Sequence, residues 1–140
     1  MVIHRYGSDF VKISLGDRVV AINPAPSGGR RLGTGVVLYS TPRPPGQDSS
    51  ASQTGSDRTP FVIDGPGEYE INGIFIHGMA AGARTVFLVI WDDLRLVYLG
   101  GVAELTMTPS LQEELGVVDI LFLPIGGGVK GAVALGQALS

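Results

Sequence analysis

The amino-acid sequence predicts an α/β domain made mainly of short β-strands, with few helices. The chain has 140 residues, and one hydrophobic core usually serves roughly 100–200 residues, so we expect a single domain over residues 1–140. Its apolar residues fall in short β-branched and aromatic segments separated by turn signals, which is typical of strands. Helix signals occur only after residue 107.

The first three strands are predicted from short apolar segments near the start of the chain. Val2–Tyr6 and Phe10–Leu15 are rich in β-branched and aromatic residues, and an apolar run follows at residues 19–22. Asn23 ends the third strand, because the proline after it cannot donate to a sheet ladder. We therefore expect an opening meander.

Residues 36–39 form a brief apolar run of the kind that is buried on both faces of a sheet. The chain then changes composition, because residues 40–60 are mostly Pro, Ser, Gly, Gln, Thr and Asp. Such a segment has too few apolar side chains to offset the entropy lost on ordering, so we expect a mobile loop at about 40–60.

The clearest local signal is a β-hairpin at residues 68–71 and 74–77, joined by Asn72 and Gly73. Asn-Gly tolerates positive φ at both central positions, which favours a type I′ turn. With a two-residue turn the cross-strand partners are Ile71 and Ile74, Tyr69 and Ile76, and Glu68 and His77. One face of this hairpin is then apolar and the other polar.

The rest of the chain is predicted to contain a second hairpin, a short helix, a buried strand and a final helix. The hairpin joins residues 85–91 to 94–99 through Asp92 and Asp93. The short helix starts at the N-cap Thr108 with Pro109 in the first position, and it ends at Gly116. The strand and the final helix are expected at residues 119–124 and 129–139.

Composition excludes several classes of function. The net charge of −3 is the opposite of the basic surface that a nucleic-acid binder shows. The chain has no cysteine, which excludes disulfides and thiolate metal sites and fits a reducing, cytoplasmic compartment. We expect no membrane span, since the apolar stretches are far shorter than about 20 residues. Only 16% of residues are charged, and this low fraction suggests self-association.

Four stretches of sequence together resemble the metallo-β-lactamase-fold hydrolases, in the small prokaryotic branch similar to ascorbate-lactonase-like proteins. They are residues 6–13 (YGSDFVKI), 21–24 (AINP), 61–71 (FVIDGPGEYEI) and 118–127 (VDILFLPIGG). The third is the most specific of the four. The resemblance implies a reduced metallo-β-lactamase-type sandwich of two mostly antiparallel sheets with few helices.

Active members of the family that this sequence resembles hold two metal ions, and the resemblance implies that the ligands come from a His-x-His-x-Asp-His loop directly after a buried strand. Residues 36–39 align with that strand. Asn23 stands where an aspartate is usual in the family. The chain ends before the family's last strand and terminal histidine. Residues that cannot replace these ligands occupy the vestigial ligand positions, namely Thr41, Arg43, Pro45, Gly46 and, at the bridging aspartate, Gly101. We expect no metal and no other cofactor.

The remaining polar candidates are few. Glu68, Glu70 and His77 are expected to share the exposed face of the first hairpin, either as an ordinary solvated face or as a weak metal site. His4, the other histidine, lies in the first predicted strand, where a structural or solvated role is the usual one. The glycines at 126–128 lack the lysine and hydroxyl of a phosphate loop and are interpreted as a turn. No catalytic residue is predicted.

Three functional hypotheses remain. The leading one is a non-catalytic protein that keeps the scaffold and acts through self-association or as a structural or interaction module. The second is a metal-dependent hydrolase whose site is completed by a partner chain. The third is a module that binds a small molecule in the family's cleft. Loss of the family's last elements would leave a strand edge uncovered, so we expect a homo-oligomer.

Overall fold

The structure is a computed structural model that describes residues 1–7, 9–24, 35–42, 61–99, 108–123 and 137. The chain forms two compact units, Met1–Asp64 and Gly65–Ser140. Most of the predicted loop at 40–60, the glycines at 126–128 and the predicted helix at 129–139, apart from Gln137, lie outside the described residues. Among the described residues, no helix is long and apolar enough to cross a membrane.

The first unit contains one sheet of five strands in the order in which they follow along the chain. β1 and β2 pair antiparallel, as do β2 and β3, whereas β3, β4 and β5 run parallel to one another. The strands are β1 (Val2–Tyr6), β2 (Phe10–Leu15), β3 (Arg18–Ile22), β4 (Val36–Leu38) and β5 (Phe61–Ile63). The predicted opening meander is confirmed.

One face of this sheet carries a continuous apolar layer. The pairing register places Ile13 opposite Val20, Val20 opposite Val36, and Leu38 opposite Ile63. All five side chains are at most 2% exposed. β4 is buried on both faces, as its uninterrupted apolar sequence predicted, because Val37 on the opposite face is also only 2% exposed.

The second unit contains the other five-stranded sheet, in the order β10-β9-β8-β7-β6. Its elements are β6 (Gly67–Ile71), β7 (Ile74–Ala81), β8 (Arg84–Trp91), β9 (Leu94–Tyr98), α1 (Pro109–Leu115) and β10 (Ile120–Phe122). Only β10 pairs in parallel, with β9. Across the described parts of both sheets, antiparallel pairings are therefore the majority, five of eight.

The two predicted hairpins are confirmed. β6 and β7 pair with Glu68 opposite His77, and the turn residues Asn72 and Gly73 have φ of 52° and 78°. The next turn between β8 and β9 likewise has two positive φ angles, at Asp92 and Asp93. Both turns have the positive φ at both central residues that a type I′ turn requires, and the sequence predicts this turn type for Asn72 and Gly73.

Several predicted boundaries need correction. β7 does not end at residue 77 but runs on to Ala81 and forms a further hairpin with β8, whose turn has a positive φ at Gly82. The strand predicted at 85–91 begins at Arg84. The strand predicted at 119–124 spans only Ile120–Phe122 and is half-buried, because no strand is described on its other side.

The helix α1 begins and ends as predicted and packs on the sheet of its own unit. The side chain of Thr108 accepts a hydrogen bond from the Leu111 N–H at 3.2 Å, and Gly116 caps the other end with a φ of 64°. Leu115 is fully buried against apolar side chains of β7, β8 and β9. The Arg95 guanidinium donates to the Leu115 carbonyl at 2.7 Å and so holds the end of the helix against β9.

Candidate functional site

A partly buried pair of side chains joins the carboxyl ends of β3 and β4. The Asn23 Nδ2 donates to Ser40 Oγ at 2.6 Å, and the Ser40 backbone N–H donates to Asn23 Oδ1 at 2.9 Å. The Asn23 backbone N–H donates to the Leu38 carbonyl at 2.8 Å. Parallel strands bring their carboxyl ends to the same edge, which explains why residues 17 apart in sequence meet here.

The local sequence suits each partner to this geometry. Asn23 has a φ of 50°, a left-handed conformation that asparagine tolerates better than most residues. Ser40 is 1% exposed, so its hydroxyl and N–H need partners inside the protein, and Asn23 bonds to both. The pair is a neutral amide–hydroxyl bracket that ties the two strand ends together.

Of the positions aligned with the family's metal ligands, the structure describes only Thr41. Its side chain is half-buried, directly after the bracket. Arg43, Pro45, Gly46 and Gly101 lie outside the described residues.

The polar face predicted on the first hairpin has the expected register. Glu68 and Glu70 are exposed, and His77 is half-buried on the neighbouring strand. The Nε2 atom of His77 lies 3.9 Å from Glu68 Oε1, whereas Glu70 stands opposite Phe75. Cross-strand pairing thus brings Glu68 and His77 together and leaves Glu70 one position away along the same face.

The other histidine belongs to the first unit. His4 is exposed on β1, and its ring stacks on Tyr6 with centroids 6.2 Å apart. Tyr6 in turn stacks on the buried Phe10 at 4.8 Å. Within the described residues, no three His, Cys, Asp or Glu side chains lie close enough to hold a metal ion.

A groove in the second unit was not anticipated from the sequence. Its volume is about 560 Å³, and it lies between β7 and the start of α1. Its walls come from residues 77–82 of β7 and the following turn, and from Thr108, Ser110, Leu111 and Glu114. These two segments are far apart in sequence, and no motif in either one indicates a groove.

Solved structures show which fold these two sheets represent. A candidate zinc-dependent hydrolase of the metallo-β-lactamase superfamily from Thermotoga maritima matches 98% of this chain and 69% of its own, with a TM-score of 0.71 and 23% identity. A diphosphatase from the PhnP family matches 93% of this chain and 68% of its own, with a TM-score of 0.65 and 15% identity. Zinc-bound PqqB from Methylobacterium extorquens matches 80% of this chain and 58% of its own, with a TM-score of 0.54 and 15% identity.

Sequence comparison agrees with the structural neighbours at the level of the superfamily. No curated protein matches the chain in sequence. The family model described as a β-lactamase superfamily domain matches residues 3–139. The narrower ascorbate-lactonase-like branch stays a prediction. The metallo-β-lactamase fold of its structural neighbours and this match over nearly the whole chain together establish that the protein belongs to the β-lactamase superfamily.

Proposed function

We propose that this chain is a non-catalytic member of its superfamily that acts through self-association, as a structural or interaction module. The proposal rests on how few residues of this sequence can bind zinc. The whole sequence contains two histidines and no cysteine. A catalytic zinc site usually takes three protein ligands, mostly imidazole, and a two-metal site takes more.

The fold implies zinc, and the residues at the strand ends do not fit it. At the end of β4, where the family places its first ligands, Ser40 is held by Asn23 and is followed by Thr41. A neutral amide and two hydroxyls are poor zinc ligands compared with imidazole, thiolate or carboxylate. The polar side-chain atoms of Asn23 and the Ser40 hydroxyl also bond within the pair, which leaves them poorly placed to bind a metal ion.

Support for self-association comes from β1, which is the outermost strand of its sheet among the described residues. It is also more exposed than the other described strands, with Val2 at 52% and Ile3 at 39%. An exposed apolar edge strand is a template for pairing with another chain. A second copy of this chain presents the same edge, so a two-fold pairing through β1 covers both copies at once. We also propose that the protein is located in the cytoplasm.

A second candidate function is a metal-dependent hydrolase whose site is completed by a partner chain. The names of two structural neighbours, a zinc-dependent hydrolase candidate and a diphosphatase, favour it. Such a site needs a chain that supplies most of the ligands. The two candidates differ in whether the purified chain alone assembles, and in whether any hydrolysis requires added protein.

Light scattering coupled to gel filtration at micromolar concentration tests self-association. We expect a species of at least twice the chain mass of 14.6 kDa. Val2→Lys, which places a charge on the exposed edge, should shift the species toward monomer. The matched control is Val117→Lys, because Val117 is 77% exposed but follows α1 and is not on a strand. A monomer that persists on concentration, or an equal effect of both variants, contradicts the proposal.

A further inference from the structure

The groove between β7 and α1 runs along the edge of a strand. Six consecutive residues, 77–82, line it. Residues 77–81 belong to β7 and Gly82 to the turn after it, and none of the described residues of β8 lines the groove. The groove therefore lies on the side of β7 away from β8, where it reaches the main chain beside α1.

Among the residues that the structure describes, the edge of β7 is open at one residue. β6 pairs with β7 only as far as Gly78, whereas β7 continues to Ala81. Ala81 and Arg84 flank the two-residue turn to β8 and form a hydrogen-bonded pair in such hairpins. Pairing alternates along the strand, so the N–H and C=O of Ala80 point away from β8 and toward the groove. Ala80 is exposed, and no described residue hydrogen-bonds to it on that side.

The side walls of the groove are partly apolar and partly acidic. Met79 is 6% exposed and Leu111 is half-buried, and both belong to the apolar cluster beneath α1. Glu114 is exposed on the helix at the rim. At the other end of the groove His77 is accompanied by the carboxylate of Glu68. The groove therefore offers main-chain hydrogen bonds, an apolar contact and negative charge.

We propose that this groove binds a short extended peptide segment of a partner protein, which adds a strand to the edge of β7 at Ala80. Addition of a strand to an open sheet edge derives affinity from main-chain hydrogen bonds and specificity from pockets for alternate side chains. A residue next to the one paired with Ala80 places an apolar side chain against Leu111 and Met79. A lysine or arginine in the same segment meets Glu114.

Charge and size support a peptide of this chemistry. Among the described residues, the titratable groups that line the groove are Glu114 and His77, and Glu68 lies 3.9 Å from His77 without lining the groove itself. An acidic segment would be repelled. The volume of about 560 Å³ falls within the range of about 300–1,000 Å³ that is usual for ligand sites. With one open residue on the edge, the affinity should be modest, with a Kd on the order of 10⁻⁴ M.

Fluorescence anisotropy with two labelled peptides tests the proposal on the full chain. The probe is acetyl-Lys-Ser-Val-Ser-Lys-amide, which places its valine and both lysines on one face of an extended strand, and the comparison peptide has glutamate in place of both lysines. We expect the basic peptide to bind about tenfold more tightly, since replacing both lysines with glutamate reverses two charges near the Glu114 carboxylate. Binding should weaken as salt is added.

Three variants assign the binding to this groove. Ala80→Pro removes the open N–H and should reduce binding at least about fivefold. An edge strand accepts proline where the N–H makes no bond to the neighbouring strand. Glu114→Lys should weaken the basic peptide about tenfold. The matched control, Glu113→Lys, makes the same charge change on an exposed neighbour that does not line the groove and should have little effect.

Several results would overturn the proposal. They are no binding of the basic peptide at 1 mM, equal binding of both peptides, and an equal loss in Glu113→Lys and Glu114→Lys. A change in the mass of the species caused by Ala80→Pro, with no change in peptide binding, would assign the edge to a second copy of the chain instead. Circular dichroism of each variant checks that a loss of binding is not caused by a loss of fold. Should Ala80→Pro fail to fold, the comparison of Glu114→Lys with Glu113→Lys decides the proposal.

Discussion

Replacement of Asn23 tests whether the amide–hydroxyl bracket holds the ends of β3 and β4. Asn23→Ala removes both side-chain hydrogen bonds to Ser40, and each contributes about 1 kcal/mol to the free energy of unfolding. It also forces alanine to adopt a φ of 50°, which costs at least about 1 kcal/mol. We expect a total loss of about 3 kcal/mol.

Two companion variants separate these contributions. Asn23→Gly loses the same two bonds but adopts positive φ without strain, so its loss should be about 2 kcal/mol. Asn23→Asp keeps an acceptor for the Ser40 N–H, and the Ser40 hydroxyl can donate to the new carboxylate, so it should lose less than about 1 kcal/mol. The expected order of stability is therefore Asp above Gly above Ala.

Urea unfolding followed by far-ultraviolet circular dichroism measures these differences. With a slope of about 1.5 kcal/mol/M, the alanine variant should unfold at a urea concentration about 2 M lower than the parent chain. A loss below about 1 kcal/mol in Asn23→Ala would show that the bracket does not hold the strand ends. Equal stability of the Gly and Ala variants would show that φ at this position carries no strain.

Two further substitutions test packing in the second unit. Gly78→Ala should cost about 2 kcal/mol, because a Cβ there would lie 2.9 Å from the Gly65 carbonyl oxygen and 3.1 Å from Thr85 Cγ2. Gly35→Ala is its control, since the nearest atom would be 3.8 Å away, and thermal unfolding should differ little from that of the parent. Arg95→Met should lower the stability by about 1.5 kcal/mol through loss of the 2.7 Å bond to the Leu115 carbonyl, and unchanged urea unfolding would contradict this role.

Local turn and cap chemistry explains which elements could be predicted from the sequence. Asn72 and Gly73 need positive φ, and few residue pairs other than Asn-Gly meet that need, so the sequence alone indicates the hairpin and its register. Thr108 and Pro109 likewise mark the start of α1 through a side-chain cap and a preset φ. Each signal lies within a few residues of the structure that it specifies.

The extension of β7 could not be predicted in the same way. Gly78, Ala80 and Ala81 have low strand propensity, and pairing with β8 holds them in the sheet. The Asn23–Ser40 bracket joins residues 17 apart, and the groove joins β7 to α1. Both sites arise from tertiary contacts, which no single segment encodes. The family resemblance predicts a site at the end of β4, but the partner of Ser40 there, Asn23, is set by the tertiary pairing of β3 with β4.

The metal content of the purified chain tests the central claim most directly. The protein is expressed in zinc-supplemented medium, purified without chelator, and analysed for zinc, manganese and iron by elemental analysis after gel filtration. With two histidines and no cysteine in the sequence, we expect far less than one equivalent of any transition metal per chain. One or more equivalents retained through gel filtration would contradict the account, because the chain would then build a metal centre from ligands that the proposal excludes.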